Sequence, residues 1–252
     1  MHVVIRVAEL TKHYGSIRAL DRVSFEVRHG EVLGLIGPNG SGKTTLFECI
    51  GGVLPFETGH IQKEEDLFYL PDAIAPWPAQ SVRWALDFVA GYFSAPSGLR
   101  DTIVKALSLE ALLDKRIGHL SKGQRKRALL AIGLLTSRPI VLADEPFDGL
   151  DLRQTREVAG ALRSFARDGR TLVLSIHQIN DAERVCDRFV LLSGGTIRGE
   201  GTLEELTKLA TDRLRTSGTP GTSGTPGTSG TPGTPGTPGT LGTLEEAFLA
   251  LT

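Results

Sequence analysis

Paired cysteines, long apolar runs and net charge are what this sequence lacks. Its two cysteines, Cys49 and Cys186, fall in stretches that read as helical with no paired spacing, so buried free thiols in a reducing compartment are expected rather than a disulfide. No stretch approaches the roughly 18 to 20 apolar residues that a membrane span needs, and Met1-His2-Val3 leads straight into folded-looking sequence without a signal-peptide pattern. A soluble, cytoplasmic protein follows as the expectation, one that reaches a membrane only through a partner. Lys+Arg 28 against Asp+Glu 29 leaves a formal charge of −1, which supplies no field to draw the chain to nucleic acid or anionic lipid. At 252 residues there is enough chain for one large or two modest domains with a real core.

What the sequence does hold is Gly37-Pro38-Asn39-Gly40-Ser41-Gly42-Lys43-Thr44-Thr45, which fits G-x-x-x-x-G-K-[ST]. Val32 to Ile36 before it has the length of a buried strand, and Thr44 to Ile50 runs on with few breakers, so the loop leads from strand into helix. Glycines at 37, 40 and 42 let backbone N–H groups turn inward on an anion, and the helix adds its positive end. Lys43 then reaches β- and γ-phosphates, and the Thr44 hydroxyl suits Mg²⁺.

Elsewhere, Val3 to Val7 and Val23 to Val27 alternate like antiparallel strands, with Tyr14 on a loop between them where adenine could stack. Phe68-Tyr69-Leu70 reads as a short strand that breaks at Pro71-Asp72, and Gln80 to Leu113 turns helical, its apolar stripe read as core. Ser121 suits the N-cap of a helix running to Leu135. Within that helix the run Arg125-Lys126-Arg127 reads as a solvated face. Pro139 to Glu145 is an apolar strand ending in two carboxylates. Neighbouring strand positions point opposite ways, so the two have separate jobs: Asp144 for Mg²⁺, Glu145 as a base or water-positioning group. His177 ends a further strand, on the side of the sheet where ligands collect in parallel folds. A hairpin through Gly194-Gly195 follows, then capping boxes at Thr202 and Thr243 that open two helices, with a glycine-every-third-residue stretch from Gly218 to Gly242 between them. That stretch reads as an unstructured linker.

Together these motifs resemble, in order, the nucleotide-binding subunit of ATP-binding cassette transporters. Gly37 to Thr45 looks like the family's phosphate loop, Leu120 to Gln124 like its signature, Ile140 to Glu145 like its Mg²⁺/base strand, Gly149-Leu150-Asp151 like its subunit-contact loop and His177 like its switch histidine. The resemblance implies an α/β fold: a P-loop NTPase (RecA-like) core with an antiparallel β subdomain and an inserted α-helical subdomain at about 79–135. It implies a cassette over 1–216, a linker over 217–242 and a terminal helix over 243–252. ATP would be held by Tyr14, Gly37, Pro38, Asn39, Gly40, Ser41, Gly42, Lys43, Thr44 and Thr45, and by Ser121, Gly123 and Gln124 of a second copy. Glu145, His177 and Lys43 would be catalytic, and Thr44, Asp144 and Asp72 would face Mg²⁺. The implied partners are a transmembrane permease subunit and a second nucleotide-binding subunit, with no nucleic acid. Three positions depart from the family: Asp72 stands where it usually has Gln, Lys122 replaces a signature glycine, and Phe147-Asp148 replaces smaller residues. The ending Leu-Glu-Glu-Ala-Phe-Leu-Ala-Leu looks like that of export-type ATPases.

Overall fold

The structure, a computed structural model, describes residues 2–72, 74–217 and 243–252. The alternating N-terminal segments form β1 (Val3–Tyr14) and β2 (Ile17–Arg28), an antiparallel pair whose turn is set by Gly15 at φ 60°. Tyr14 is therefore not on a loop. It is the last residue of β1, paired with Ile17, because the hairpin turns one residue later. After Gly30 the chain enters β3 (Val32–Ile36) and, past the glycine loop, α1 (Lys43–Gly51). Next, β4 (Thr58–Lys63) adds to the free edge of β1, giving a three-stranded antiparallel sheet in the order β2-β1-β4.

The second sheet has six strands. Its members are β3, β5 (Leu67–Leu70), β6 (Ile140–Asp144), β7 (Thr171–Ile176), β8 (Arg188–Ser193) and β9 (Thr196–Gly201), in the order β5-β6-β7-β3-β8-β9. All neighbours are parallel except β9, which folds back on β8 at the edge. Every residue of β3, β6 and β7 is buried, as a parallel strand covered on both faces requires. Successive side chains serve opposite faces: Val141, Ala143, Leu172 and Leu174 join the core under the helices, while Ile140, Leu142 and Val173 join the core shared with α1 and the antiparallel sheet.

Between β5 and β6 lie α2 (Val82–Tyr92), α3 (Leu99–Ala106) and α4 (Lys122–Leu135). The helical stretch splits into α2 and α3 because Ser94 and Gly98 take left-handed conformations (φ 52° and 80°) around Pro96. Val82, Ala85, Leu86 and Val89 face the core. The opposite side of α2 leaves Trp84, Phe88 and Tyr92 exposed, and Trp77 packs against the first two. Trp84 and Phe88 stack with their rings 5.2 Å apart and 4° from parallel.

The charge run on α4 is not a solvated face. Lys126 and Arg127 are 5% and 8% exposed, and Arg127 donates to the carbonyls of Leu107 (3.1 Å) and Ser108 (2.9 Å), tying α4 to the end of α3. Three consecutive helical residues turn through about 200°, so they cannot share one face.

The remaining helices are α5 (Leu152–Arg167), α6 (Ile179–Val185), α7 (Leu203–Ser217) and α8 (Leu244–Leu251). Thr202 with Glu205, and Thr243 with Glu246, form the capping boxes of the last two. Helix α8 buries Leu244, Ala247 and Leu251, its Leu244 N–H donates to Glu183 Oε1 on α6 (2.6 Å), and Arg213 on α7 holds the Leu251 carbonyl (2.7 Å). The linker expected from Gly218 to Gly242 lies outside the described residues. Cys49 and Cys186 are both buried free thiols.

Candidate functional site

The carboxyl end of β3 delivers the chain into the glycine loop. Gly37 has to be glycine: a Cβ there would stand 2.2 Å from the Leu192 carbonyl oxygen and 2.6 Å from Ser41 Oγ. Gly42, at φ 106°, is the N-cap of α1 and offers no side-chain oxygen, so the first-turn N–H groups carry no side-chain cap. Lys43 folds back into the loop and donates to the carbonyls of Gly37 (2.8 Å) and Pro38 (3.2 Å). Ser41 Oγ is buried without a hydrogen-bond partner among the described residues. A cavity of about 280 Å³ opens here, walled by Asn39, Gly40, Lys43, Thr44, Thr45 and the carboxylates of Asp72 and Glu145. An orphaned hydroxyl, an uncapped helix start and a buried ammonium beside one cavity are the chemistry of an anion site.

Two carboxylates stand at the end of β6: Asp144 closes the strand behind Thr44, and Glu145, the next residue, lines the cavity. Asp144 is 2% exposed; its Oδ2 accepts from Thr44 Oγ1 (2.8 Å) and its Oδ1 from the hydroxyl of Ser175, the residue beside it in the β6–β7 register. Glu145 leaves the strand at φ 49°, so its side chain departs from the strand alternation. Its Oε2 meets His177 Nδ1 at 2.5 Å and its Oε1 lies 3.5 Å from Lys43 Nζ. The Glu145 N–H donates to Ser175 Oγ (2.9 Å), so one buried hydroxyl fixes both acidic residues. Thr44 and Asp144 form a pair of hard oxygen donors beside the glycine loop, which fits a Mg²⁺ shared with substrate oxygens. Among the described residues no cluster of three or more His, Cys, Asp or Glu could cage a metal by itself.

Asp72 reaches the cavity wall, but its Oδ1 is held by Lys126 Nζ at 2.5 Å. Lys126 also donates to the Asp144 carbonyl oxygen (3.0 Å). Tyr14 is half exposed at the tip of the β1–β2 hairpin, with Lys12 Nζ 5.6 Å above its ring, and Lys12 is fixed by Glu57 Oε1 at 2.9 Å. Ser121, Gly123 and Gln124 do not line the cavity. Ser121 caps α4 in a reciprocal box with Gln124. Gly123 is pressed on the loop at Gly149, where a Cβ would come 2.5 Å from the Gly149 carbonyl oxygen. Two of the departing positions, Lys122 and Asp148, form an ion pair with each other, and the Asp148 carboxylate raises the Lys122 pKa.

Read from sequence, Ser175 has no role and Lys126 lies on a solvated face. Ser175 carried a signal, a hydroxyl at a fully buried position in an otherwise aliphatic strand end, opposite Asp144 in register. Lys126 carried only the phase of its helix.

A glycine loop of this build, with a lysine inside it and a threonine–aspartate contact across to the end of β6, places the chain among phosphate-loop nucleotide hydrolases. The ABC transporter family matches residues 20–148. An uncharacterised ABC transporter ATP-binding protein of Methanocaldococcus jannaschii is 32% identical over 81% of this chain and 79% of its own length. A Nod factor export ATP-binding protein I of Rhizobium etli is 30% identical over 80% and 69%, and a phosphonates import ATP-binding protein of Caulobacter vibrioides is 32% identical over 81% and 90%. Among solved structures, an ATP-binding subunit of an ABC transporter superposes with a TM-score of 0.74 at 25% identity, covering 85% of this chain and 98% of that one. A dimeric cassette bound to ADP and phosphate superposes with a TM-score of 0.69 at 25% identity, over 79% and 98%. The chain belongs to the ABC transporter family, as an ATP-binding and ATP-hydrolysing subunit. No helix among the described residues is long and apolar enough to cross a membrane.

Proposed function

We propose that this chain powers a membrane exporter, working as two copies that close head to tail on two ATP molecules at the cytoplasmic face of the membrane. The observation that carries the reading is the bonded series Thr44–Asp144–Ser175–Glu145–His177 at the mouth of the phosphate loop. Lys43 and the start of α1 hold the β- and γ-phosphates, and Tyr14 stacks on adenine. Thr44 and Asp144 hold Mg²⁺, which neutralises charge on the phosphate oxygens when bound. Glu145 orients the attacking water and takes its proton, while His177 steadies Glu145 through Nδ1 and keeps its other ring nitrogen for the γ-phosphate. Ser121, Gly123 and Gln124, which stand outside the chain's own cavity, complete the site of the second copy. Hydrolysis removes the charge that both copies clamp, and the pair opens.

The exposed aromatics of α2 give the helical insert a surface through which that motion passes to a membrane subunit. Export is supported by the C-terminal ending alone, since relatives 30% and 32% identical carry export and import in their names. The test is purification from detergent-solubilised native membranes in the presence of ATP. A multi-span membrane protein at near-equal stoichiometry is expected, and a Trp84→Ala/Phe88→Ala variant should lose it while the isolated chain hydrolyses ATP as before. Recovery of ribosomal or DNA-repair proteins without a membrane protein overturns the transporter role. Reconstituted with its membrane partner, the chain should drive cargo away from the ATP side, and movement toward that side overturns export.

A further inference from the structure

We propose that Lys126 is a positioning residue for Glu145 and that Asp72 is its counter-charge rather than a metal ligand. The proposal rests on the role given to Glu145 above. Its starting point is a single peptide, the one joining Asp144 to Glu145. The carbonyl of that peptide accepts from Lys126 Nζ (3.0 Å) and its N–H donates to Ser175 Oγ (2.9 Å), so both poles are fixed. Ser175 is polarised for this, because its own proton goes to Asp144 Oδ1.

The fixing matters because Glu145 sits at φ 49°, a left-handed conformation that a glutamate abandons unless its surroundings hold it. Released, the peptide is free to rotate and carry the Glu145 carboxylate away from His177 and Lys43. Lys126 does the holding from 5% exposure, and an ammonium buried that deeply needs a compensating charge. Asp72 supplies it across 54 residues of chain, with Oδ1 at 2.5 Å. The carboxylate at 72, on the cavity wall, and the ammonium at 126 behind it thus form a neutral unit, and α4 gains a direct bond to the strand end that precedes Glu145. Because Ser121 starts the same helix, a phosphate that moves the start of α4 also pulls on the peptide that aims Glu145.

The experiment measures kcat, the Kd of a fluorescent ATP analogue, the Mg²⁺ concentration for half-maximal turnover and the melting temperature. The variants are Lys126→Met, Lys126→Arg, Asp72→Asn and the double variant Asp72→Asn/Lys126→Met. Lys126→Met is expected to lower kcat by about 10- to 100-fold, the scale of a displaced reacting group, with the Kd within about threefold of wild type. Lys126→Arg, which can still donate to both oxygens, should recover most of that loss. Asp72→Asn should leave the Mg²⁺ midpoint in place, and the double variant should be no slower than Lys126→Met alone, because Asp72 acts through Lys126. Additive losses, or a Mg²⁺ midpoint that moves in Asp72→Asn, would return Asp72 to the metal and overturn the proposal. So would a normal kcat in Lys126→Met. If Lys126→Met does not fold, Asp72→Asn/Lys126→Gln removes both charges together and should hydrolyse faster than Lys126→Gln alone; a slower double variant overturns the pairing. Glu145→Gln, assayed alongside, separates the two readings: near-normal turnover there removes the base, whereas an inactive Glu145→Gln beside a normal Lys126→Met removes only the present proposal.

Discussion

Helices α1 and α4 both begin at a sequence motif assigned to phosphate, yet their first turns are built in opposite ways. The N-cap of α1 is a left-handed glycine with no side-chain bond, so its N–H groups stand open beside a cavity. The N-cap of α4 is Ser121, whose Oγ accepts from Gln124 N (3.3 Å) while Gln124 Oε1 accepts from Ser121 N (3.1 Å). One helix start is ready for an anion within a single chain. The other satisfies itself and must exchange an internal bond for an external one. The contrast predicts that ATP binds the single chain through the α1 side and that the α4 side contributes only when a second copy arrives.

Breaking the α1 side has the largest expected effect. Glu145→Gln should lower turnover by about 10²- to 10⁴-fold, the range for a lost general base, while ATP still binds; steady-state hydrolysis and analogue binding check both halves of that statement. Tyr14→Ala should weaken ATP binding to the single chain by about 1–3 kcal/mol, the cost of a lost base stack, readable by titration, and an unchanged affinity would place adenine elsewhere. Ser121→Ala sharpens the comparison from the other side. It should cost about 1 kcal/mol of stability as a lost cap, measured by denaturant unfolding, leave analogue binding to the single chain unchanged and slow hydrolysis in the pair. A loss of single-chain binding would mean that α4 reaches its own cavity.

The smallest effect tests the interior behind the site. Burial pushes the Cys49 thiol up to about 11 from 9.0, and burial raises Cys186 as well. A raised thiol pKa means less thiolate at a given pH, about 100-fold less for two units at pH 8. Native protein should therefore show no fast-reacting thiol toward a disulfide reagent at pH 8 and two in denaturant. The rate at Cys49 should keep climbing toward pH 11 instead of levelling near 9.

The α/β architecture was legible because its signals are local. A fully apolar five-residue run, a glycine loop and a helical run named β3 and α1, and the same logic placed β6 and β7. The phosphate loop, Asp144, Glu145 and His177 could be named one by one for the same reason. Their mutual bonding could not, since Thr44 meets Asp144 across 100 residues and Ser175 meets Asp144 across 31. The departures from the family pattern were legible as departures and opaque in effect. Folding pairs them: Asp72 with Lys126, and Lys122 with Asp148. Charge counting along the chain hid Lys126, because composition records that a residue is basic and only helical phase records which way it points.

The left-handed backbone at Glu145 has a consequence for how this cassette would drift under selection. A glutamate held at φ 49° costs about 1–2 kcal/mol relative to an unstrained residue, and glycine does not bear that cost. A library screened for heat resistance alone should enrich glycine or asparagine at 145 and return folded, nucleotide-binding, inert proteins. With Glu145 as the proposed base, heat resistance and turnover pull in opposite directions at one residue, and a screen that demands hydrolysis is expected to keep the glutamate.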